Sequence, residues 1–252
     1  MKRVLLIVGI VFVALFGVFF ATVGSAFVGL VPAADGPVAP GVQLVRDGYV
    51  NAYLIDLDDG VALVDCGNDP EAKTLLAALK ARNLEPSSVK AIFVTHGHPD
   101  HVAGCQQFPG AAVYVFEGDR GLAEGTEAGK GPLPKFMGIQ KGKSVKVTNV
   151  LVDAATVQLG GVGVTAWNIP GHTGGSAAFL ARGVLFFGDS ATAQSDGKLR
   201  PAPWVFSDDL EQCKASLRGL AAKVPAGVSK LAFAHSGVFE NASALGEYAK
   251  AP

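Results

Sequence analysis

Residues 96–101 of this 252-residue chain read His-Gly-His-Pro-Asp-His, so four side chains of metal-binding type fall within six positions. The segment directly follows the apolar run Ala91–Val94, which is predicted to be a short buried strand. A loop at the end of a strand can direct such closely spaced side chains into one pocket, where the sites of α/β proteins usually lie. Because burying that many polar groups together without a cation would be costly, the sequence predicts a metal site here.

Three more side chains of the same type follow predicted strands further along the chain. His172 lies in Gly171-His172-Thr173 between two predicted strands, while Asp189 and His235 each come directly after another. Imidazole and carboxylate groups together suit Zn²⁺, Fe²⁺ or Mn²⁺. A single histidine such as His235 would indicate little by itself, so these residues become candidate ligands only in combination with the 96–101 segment.

Between residues 42 and 252, short apolar runs alternate with turns and helical patterns, which predicts one layered α/β domain. Asp58-Asp59-Gly60 separates the runs Tyr49–Leu57 and Val61–Val64, as in a hairpin with an Asp-Gly turn. The glycine-rich segment 117–142 is predicted to be a mobile crossover or lid. Further predicted strands are Ala91–Val94, Ala112–Phe116, Ser144–Asn149, Ala155–Leu159, Val162–Asn168, Ala177–Leu180, Val184–Phe187 and Leu231–Ala234. Predicted helices are 70–82, His101–Phe108, 207–223 with Ser207 as N-cap, and Asn241–Ala249.

The N-terminal segment is apolar enough to enter a membrane. No charged residue occurs between residues 4 and 34, and Val4–Phe20 is almost wholly apolar. A bilayer requires about 20 apolar helical residues, whereas the apolar region of a signal peptide has about 7–15, so the length favours an uncleaved anchor over a cleaved signal. We therefore expect an anchor or signal in residues 1–34, with membrane contact through residues 4–31, and a linker over 35–41. The domain 42–252 is expected outside the cytoplasm, anchored or secreted, which is the periplasm in a bacterium.

Composition excludes several classes of partner and framework. With a formal net charge of −1, the chain lacks the basic surface that nucleic-acid binding needs. A hydrophobic content of 49% excludes a disordered protein. The three cysteines are far apart and predict no disulfide framework, so Cys66 and Cys105 are expected to be small buried thiols.

The motifs together resemble those of the metallo-β-lactamase fold superfamily. The signature is His96-x-His98-x-Asp100-His101, and the other parts follow in the same order: Asp65 in Val64-Asp65-Cys66-Gly67, His172 in Gly171-His172-Thr173, Asp189 in Gly188-Asp189, and His235 in Ala234-His235. The resemblance covers about residues 42–240. It implies an αβ/βα sandwich of two mixed β-sheets flanked by helices, here preceded by an N-terminal hydrophobic helix, with the metals at one edge of the sheets.

The resemblance also implies that seven side chains hold two metal ions. The first ion would be bound by His96, His98 and His172, the second by Asp100, His101 and His235, and both by Asp189. Asp65 is implied to support the ligand loops without being a ligand, and Thr173 is a candidate for hydrogen bonds to the same loops. Two zinc ions are expected, with iron and manganese as alternatives. They would generate a hydroxide from a shared water near neutral pH, and Asp100 would orient it and later pass a proton to the leaving group.

The residue at position 189 separates branches of the superfamily. Lactam-cleaving members generally lack a bridging aspartate here, whereas Gly-Asp-Ser resembles thioester, lactone and phosphodiester hydrolases. The segment 236–252 is too short for the helical glutathione-binding domain of glyoxalase II-like enzymes. We therefore expect a hydrolase of a small ester, thioester or lactone. Alternatives are a persulfide dioxygenase with one iron, a β-lactamase or a phosphodiesterase. Trp204 is a candidate pocket residue, and Leu133, Phe136 and Met137 are candidates for an apolar lid.

Overall fold

The computed structural model describes residues 14 and 16–251. Fourteen strands are present in the described part of the chain: β1 Gly36–Ala39, β2 Val42–Asp47, β3 Val50–Leu57, β4 Gly60–Val64, β5 Val89–Phe93, β6 Ala112–Phe116, β7 Asn149–Leu151, β8 Thr156–Leu159, β9 Val162–Asn168, β10 Ala177–Ala181, β11 Val184–Phe186, β12 Ala191–Ala193, β13 Leu199–Pro201 and β14 Lys230–Ala232. The helices are α1 (16–25), α2 Lys73–Ala81, α3 Pro99–Val102, α4 Arg120–Ala123, α5 Pro132–Met137, α6 Leu210–Lys223 and α7 Ser243–Lys250. Short 3₁₀ turns lie at Pro86–Ser88, Ala103–Gln107, Glu117–Asp119 and Trp204–Phe206.

A seven-stranded sheet forms the first half of the domain, with the strands in sequence order from β1 to β7. Strands β1 to β4 are antiparallel, and β4 to β7 are parallel. Strand β3 is buried on both faces, because Leu54 points toward Leu75 and Leu79 of α2 while Tyr53 and Ile55 point toward the second sheet. Burial on both faces explains its nearly continuous apolar sequence.

A five-stranded sheet in the order β14-β11-β10-β9-β8 forms the second half. One face carries Phe179 and Phe186 into the core shared with the first sheet, where the rings of Phe93 and Phe179 lie 5.4 Å apart. The other face packs against α6 through Leu217 and its neighbours. Both sheets combine parallel and antiparallel pairs, so the predicted sandwich of two mixed sheets between helical layers is confirmed.

Several predicted elements differ from the structure at their ends. The predicted strand Ser144–Asn149 is wrong, since a strand begins there only at Asn149. Helix α6 is capped by Asp209, whose Oδ1 accepts a hydrogen bond from the Gln212 amide, and not by Ser207. The predicted linker 35–41 contains strand β1, which pairs with β2 and belongs to the first sheet.

The segment after helix α1 docks on the domain. Leu30 pairs with Gln194, the Val31 amide donates to the Ala193 carbonyl, and the Gly237 amide donates to the Val31 carbonyl. Residues 4–13 and 15 of the predicted membrane segment 4–31 lie outside the described residues. Within residues 14 and 16–251, no helix combines the length and apolar character needed to cross a bilayer.

Candidate metal centre

Three buried histidines converge from two loops. His96 and His98 follow β5, and His172 lies between β9 and β10. His96 Nε2 lies 2.9 Å from His98 Nδ1, and His172 Nε2 lies 3.1 Å from each of those two nitrogens. A tetrahedral zinc with Zn–N bonds of about 2.0–2.1 Å separates its ligand nitrogens by about 3.4 Å. The trio therefore has the spacing of ligands around one small cation.

A second group lies beside the trio and combines Asp100, His101 and His235. His235 Nε2 lies 3.5 Å from Asp100 Oδ2, and His101 Nε2 lies 3.9 Å from Asp100 Oδ1. Asp100 and His101 belong to α3, whereas His235 follows β14 in the other sheet. The edge where the two sheets meet therefore assembles this group from residues far apart in sequence.

Asp189 lies between the two groups and contacts both. Its Oδ2 lies 3.0 Å from His235 Nε2 and 3.6 Å from His172 Nε2, and its Oδ1 lies 3.3 Å from His101 Nε2. The preceding Gly188 has φ +55°, and a side chain there would collide with the Thr95 hydroxyl. Glycine is therefore needed to bring the Asp189 carboxylate this close to the β5 loop.

Three atoms of the cluster residues are buried without a hydrogen-bond partner: His98 Nε2, His101 Nε2 and Asp189 Oδ1, of which the last two lie 3.3 Å apart. Buried polar atoms nearly always have a partner, so this pair of neighbouring atoms calls for an additional ligand. A divalent cation would satisfy both at once, and imidazole and carboxylate are suitable donors. The residues present therefore fit a metal centre.

The charge states of the groups differ. Burial, reinforced by neighbouring imidazoles, lowers the pKa of His96 well below its usual range and that of His172 to about 3. Both side chains are therefore neutral near pH 7 and offer a nitrogen lone pair. Burial would also lower the pKa values of His101 and His235, but the carboxylates around them, above all Asp189, raise the pKa of both, to about 9 for His235. Burial favours the neutral form of Asp189, but His235 and His101 keep its pKa well below the usual range.

Asp65 orients the β5 loop and one histidine. Its Oδ1 accepts from the Thr95 amide at 2.7 Å, and its Oδ2 accepts from the Thr95 hydroxyl at 2.7 Å and lies 2.8 Å from His101 Nδ1. A carboxylate at Nδ1 holds this nitrogen as N–H and orients the ring so that Nε2 faces the cluster. The left-handed backbone of Asp65, with φ 59°, places it beneath this loop.

Asp119 is a supporting residue that the sequence analysis missed. It is 1% exposed, and its Oδ2 accepts from the Gly97 amide and the Thr173 hydroxyl, each at 2.7 Å. Its Oδ1 accepts from the Gly175 amide at 2.6 Å. Asp119 thereby joins the loop of His96 and His98 to the loop of His172, and the contact of Thr173 with the ligand loops runs through this carboxylate.

Cys66 and Cys105 form a disulfide with a Cα–Cα distance of 5.2 Å, so the prediction of two separate thiols is wrong. The fold brings the two cysteines together although 39 residues separate them. The loop after Asp65 lies against α3 and the turn that follows it, and the Cys66 amide donates to the His101 carbonyl of α3 at 2.7 Å. A bridge closing a loop of this size contributes about 2–4 kcal/mol to stability. Cys213 remains a buried free thiol.

A cavity of about 530 Å³ ends at the cluster, where His98, Asp100, Asp189 and His235 line it. Trp204, the candidate pocket residue, does not line this cavity, whereas its neighbours Pro203 and Phe206 do. From the predicted lid, Leu133 and Met137 line the cavity, whereas Phe136 points outward and is 88% exposed.

Comparison with known proteins gives curated relatives of two kinds. A hydroxyacylglutathione hydrolase of Serratia proteamaculans is 30% identical over 181 residues, which cover 71% of this chain and 59% of the relative. A hydroxyacylglutathione hydrolase of Gloeobacter violaceus is 34% identical over 154 residues, covering 58% of this chain and 52% of the relative. The human metallo-beta-lactamase domain-containing protein 1 is 34% identical over 113 residues, covering 41% and 42%. The chain thus spans between half and three fifths of the length of the hydrolases it matches.

Solved structures and a family profile agree with these relatives. A metallo-beta-lactamase family protein from Thermus thermophilus superposes with a TM-score of 0.62 and 25% identity, covering 84% of this chain and 79% of that one. The metallo-beta-lactamase GOB-18 from Elizabethkingia meningoseptica has a TM-score of 0.63 at 21% identity, covering 81% and 77%, which shows the shared fold. The profile of the Metallo-beta-lactamase superfamily matches residues 45–229, most of the domain that carries the cluster. The chain therefore belongs to the Metallo-beta-lactamase superfamily.

Proposed function

We propose that this protein is a metal-dependent hydrolase of small esters and thioesters, with lactones as a related class. The observation that carries the proposal is the meeting of two ligand groups at Asp189, in the wall of a cavity of about 530 Å³. The similarity to proteins named hydroxyacylglutathione hydrolase supports a thioester as one substrate class.

Seven side chains would hold two divalent cations, for which we propose zinc. The first group comprises His96, His98 and His172, the second comprises Asp100, His101 and His235, and Asp189 is shared by both. When bound, such ions lower the pKa of water and polarise a substrate carbonyl. A metal content near two equivalents supports this assignment, whereas one iron per chain, together with oxygen uptake on a persulfide, would favour a dioxygenase.

The chain itself fixes the orientation of the reacting groups. His235 Nδ1 lies 2.9 Å from the Tyr49 carbonyl oxygen, so this nitrogen donates there and Nε2 faces Asp189. The Tyr49 ring stacks on the His235 ring at 5.7 Å and covers its outer face. Asp100 lines the cavity with a partly exposed carboxylate, so it can accept a proton from an attacking water and deliver it to the leaving oxygen or sulfur.

A substrate panel tests the proposed reaction. The full chain, purified and loaded with zinc, is assayed with a thioester, an aryl ester, a lactone, a phosphodiester and a β-lactam. We expect kcat/KM to be highest for the thioester or ester and to fall to background after chelation, with recovery on adding zinc. Turnover confined to the phosphodiester or the β-lactam, or activity that survives complete metal removal, would refute the proposal.

We further propose that the domain works on the extracytoplasmic side, either tethered by its N-terminal segment or secreted. The charge-free segment 4–34 supports this, and so does the disulfide, since such bonds persist in oxidising compartments. Protein isolated from its own cells and alkylated in denaturant without reductant should carry one label, on Cys213, and three labels after reduction. Three labels before reduction, or recovery in the cytosolic fraction, would contradict this location.

A further inference from the structure

The cavity has a polar end and an apolar remainder. The polar end is the His/Asp cluster, and among the described residues only two other charged side chains line the cavity, Glu127 and Lys143. The remaining wall is largely apolar. It includes Phe27 and Leu30 of the N-terminal segment, Leu133 and Met137 of α5 with Ile139 just after it, and Phe206 of the 3₁₀ turn before α6. A wholly polar substrate would leave these apolar walls without a partner.

The first part of this wall is held in a defined position beside the cluster. The Phe27 ring meets the His235 ring edge to face at 6.5 Å and the Phe206 ring at 6.3 Å. The chain just after it is fixed by the pairing of Leu30 with Gln194 and by the hydrogen bonds of Val31. The N-terminal segment therefore contributes a side of the cavity next to a candidate metal ligand.

Helix α5 forms another part of the wall. Asp208 Oδ1 accepts from the Lys130 and Gly131 amides at 2.9 and 2.8 Å, which fixes the start of this helix. Leu133 and Met137 are one turn apart and both face the cavity, because residues four apart share a helix face. The unbranched Met137 side chain can adapt to ligands of different shape.

We propose that the substrate carries an unbranched acyl chain, which lies between the Phe27–Leu30 segment and helix α5 while its carbonyl carbon reaches the cluster. This inference rests on the proposed hydrolase function and names the substrate class within it. In the reaction, water adds its oxygen to the acyl carbon and the bond to the alcohol oxygen or thiol sulfur breaks. The leaving group takes the proton, so the products are a fatty acid and an alcohol or thiol.

The apolar character continues outward from the cavity along the same stretch of chain. Residues 16–25 form helix α1, in which Val18, Phe19 and Phe20 are exposed. Val23 and Ala26 at the end of this helix line the cavity, so its exposed apolar side chains extend the apolar surface beside the cavity.

A chain-length series tests the inference. The zinc-loaded full chain is assayed with p-nitrophenyl acetate, butyrate, hexanoate and octanoate, each below its critical micelle concentration. Burial of each methylene in the cavity should raise kcat/KM by roughly two- to fourfold. A flat profile, or one that falls from acetate to octanoate, would overturn the inference while leaving the hydrolase function intact. Absence of turnover at every length and with thioesters would instead refute the proposed function.

Variants of adjacent residues locate the acyl site. Met137→Ser and Phe27→Ser should each lower the ratio of octanoate to acetate kcat/KM by about tenfold, because they place a hydroxyl against the chain. Phe136→Ser is the matched control, since this neighbour of Met137 points away from the cavity, and its ratio should equal that of the wild type. An unchanged ratio in both cavity variants would place the acyl chain elsewhere and overturn the assignment.

A binding measurement is independent of turnover. The fluorescent fatty acid 11-(dansylamino)undecanoic acid, titrated into metal-free full chain, should bind with enhanced emission and be displaced by decanoate. Met137→Ser should weaken this binding about tenfold, and Phe136→Ser should not. Failure of the wild type to bind the probe would contradict an apolar acyl site.

Discussion

Replacing Asp189 with alanine is expected to reduce kcat/KM on the order of a thousandfold or more and to lower the bound metal from two equivalents to about one. Asp189 contacts both ligand groups, since its Oδ2 lies 3.0 Å from His235 Nε2 in the second group and 3.6 Å from His172 Nε2 in the first. Its removal leaves the His96, His98 and His172 trio intact but deprives the second group of a shared carboxylate. Stabilisation by a metal ion is worth several kcal/mol in a hydrolytic transition state, which corresponds to this loss.

Asp189→Asn separates charge from shape at the same position. The amide keeps the size of the side chain but offers one neutral oxygen and directs an N–H₂ donor toward His101 or His235. We expect a metal content and an activity between those of the wild type and Asp189→Ala. Metal content by mass spectrometry, circular dichroism and kcat/KM on the preferred ester are measured for each variant.

Asp196→Ala is the matched control for this position. Asp196 is an exposed carboxylate in the β12–β13 hairpin, and it contacts Arg200 and its own turn. This variant should retain two metal equivalents and wild-type turnover. If Asp189→Ala also retained both, Asp189 would not bridge two ions and the dinuclear site would have to be abandoned.

The sequence allows much of this site to be predicted, because its residues lie where strands end. The apolar runs that predict β5, β9, β11 and β14 are close to the strands observed. Once the strands are assigned to two sheets, their ends converge on one edge, and the polar residues that follow them meet there. The positions of the candidates after strands follow from the sequence pattern, whereas the two-sheet arrangement and the division into two ligand groups are implied by the resemblance to the metallo-β-lactamase superfamily.

Pairings between distant loops were not predictable in the same way. Cys66 and Cys105 flank candidate ligands, but nothing in their spacing indicates that their two loops touch. The docking of residues 29–32 was also missed, because apolar composition indicates burial without indicating against which surface. Both depend on tertiary contacts that form only after the two sheets have packed.

Asp119 is the clearest case of a site residue whose contacts cannot be predicted from the sequence. It lies in the segment predicted as a lid, where isolated acidic residues normally face solvent. Its function arises from the 3₁₀ turn Glu117–Asp119, which directs its carboxylate inward between the two loops that carry the histidine trio. Its three hydrogen-bond donors belong to Gly97, Thr173 and Gly175, which are all far from Asp119 in sequence. Only the folded chain therefore reveals these contacts.

Asp119→Ala is expected to lower the free energy of unfolding by about 3–5 kcal/mol, because three buried donors lose their acceptor. The same change should weaken zinc binding about 10–100-fold, since outer carboxylates of this kind hold the ligand loops in place. Chemical denaturation of the metal-free chain reports the first effect. Competition for zinc with a fluorescent chelator reports the second.

Two further variants separate the specific role of the Asp119 carboxylate from the general effect of removing a carboxylate. Asp119→Asn keeps one acceptor oxygen, but its N–H₂ group faces donors, so it should lose both stability and zinc affinity to an intermediate degree. Asp153→Ala removes an exposed carboxylate that pairs with Lys223 and accepts from the Asn168 amide, and it should change stability by less than about 1 kcal/mol. If Asp119→Ala lost stability without losing zinc affinity, the carboxylate would support the fold but would not position the histidines. Equal zinc affinity in all three variants would therefore overturn the role assigned to Asp119, because the loops of His96 and His172 would keep their geometry without it.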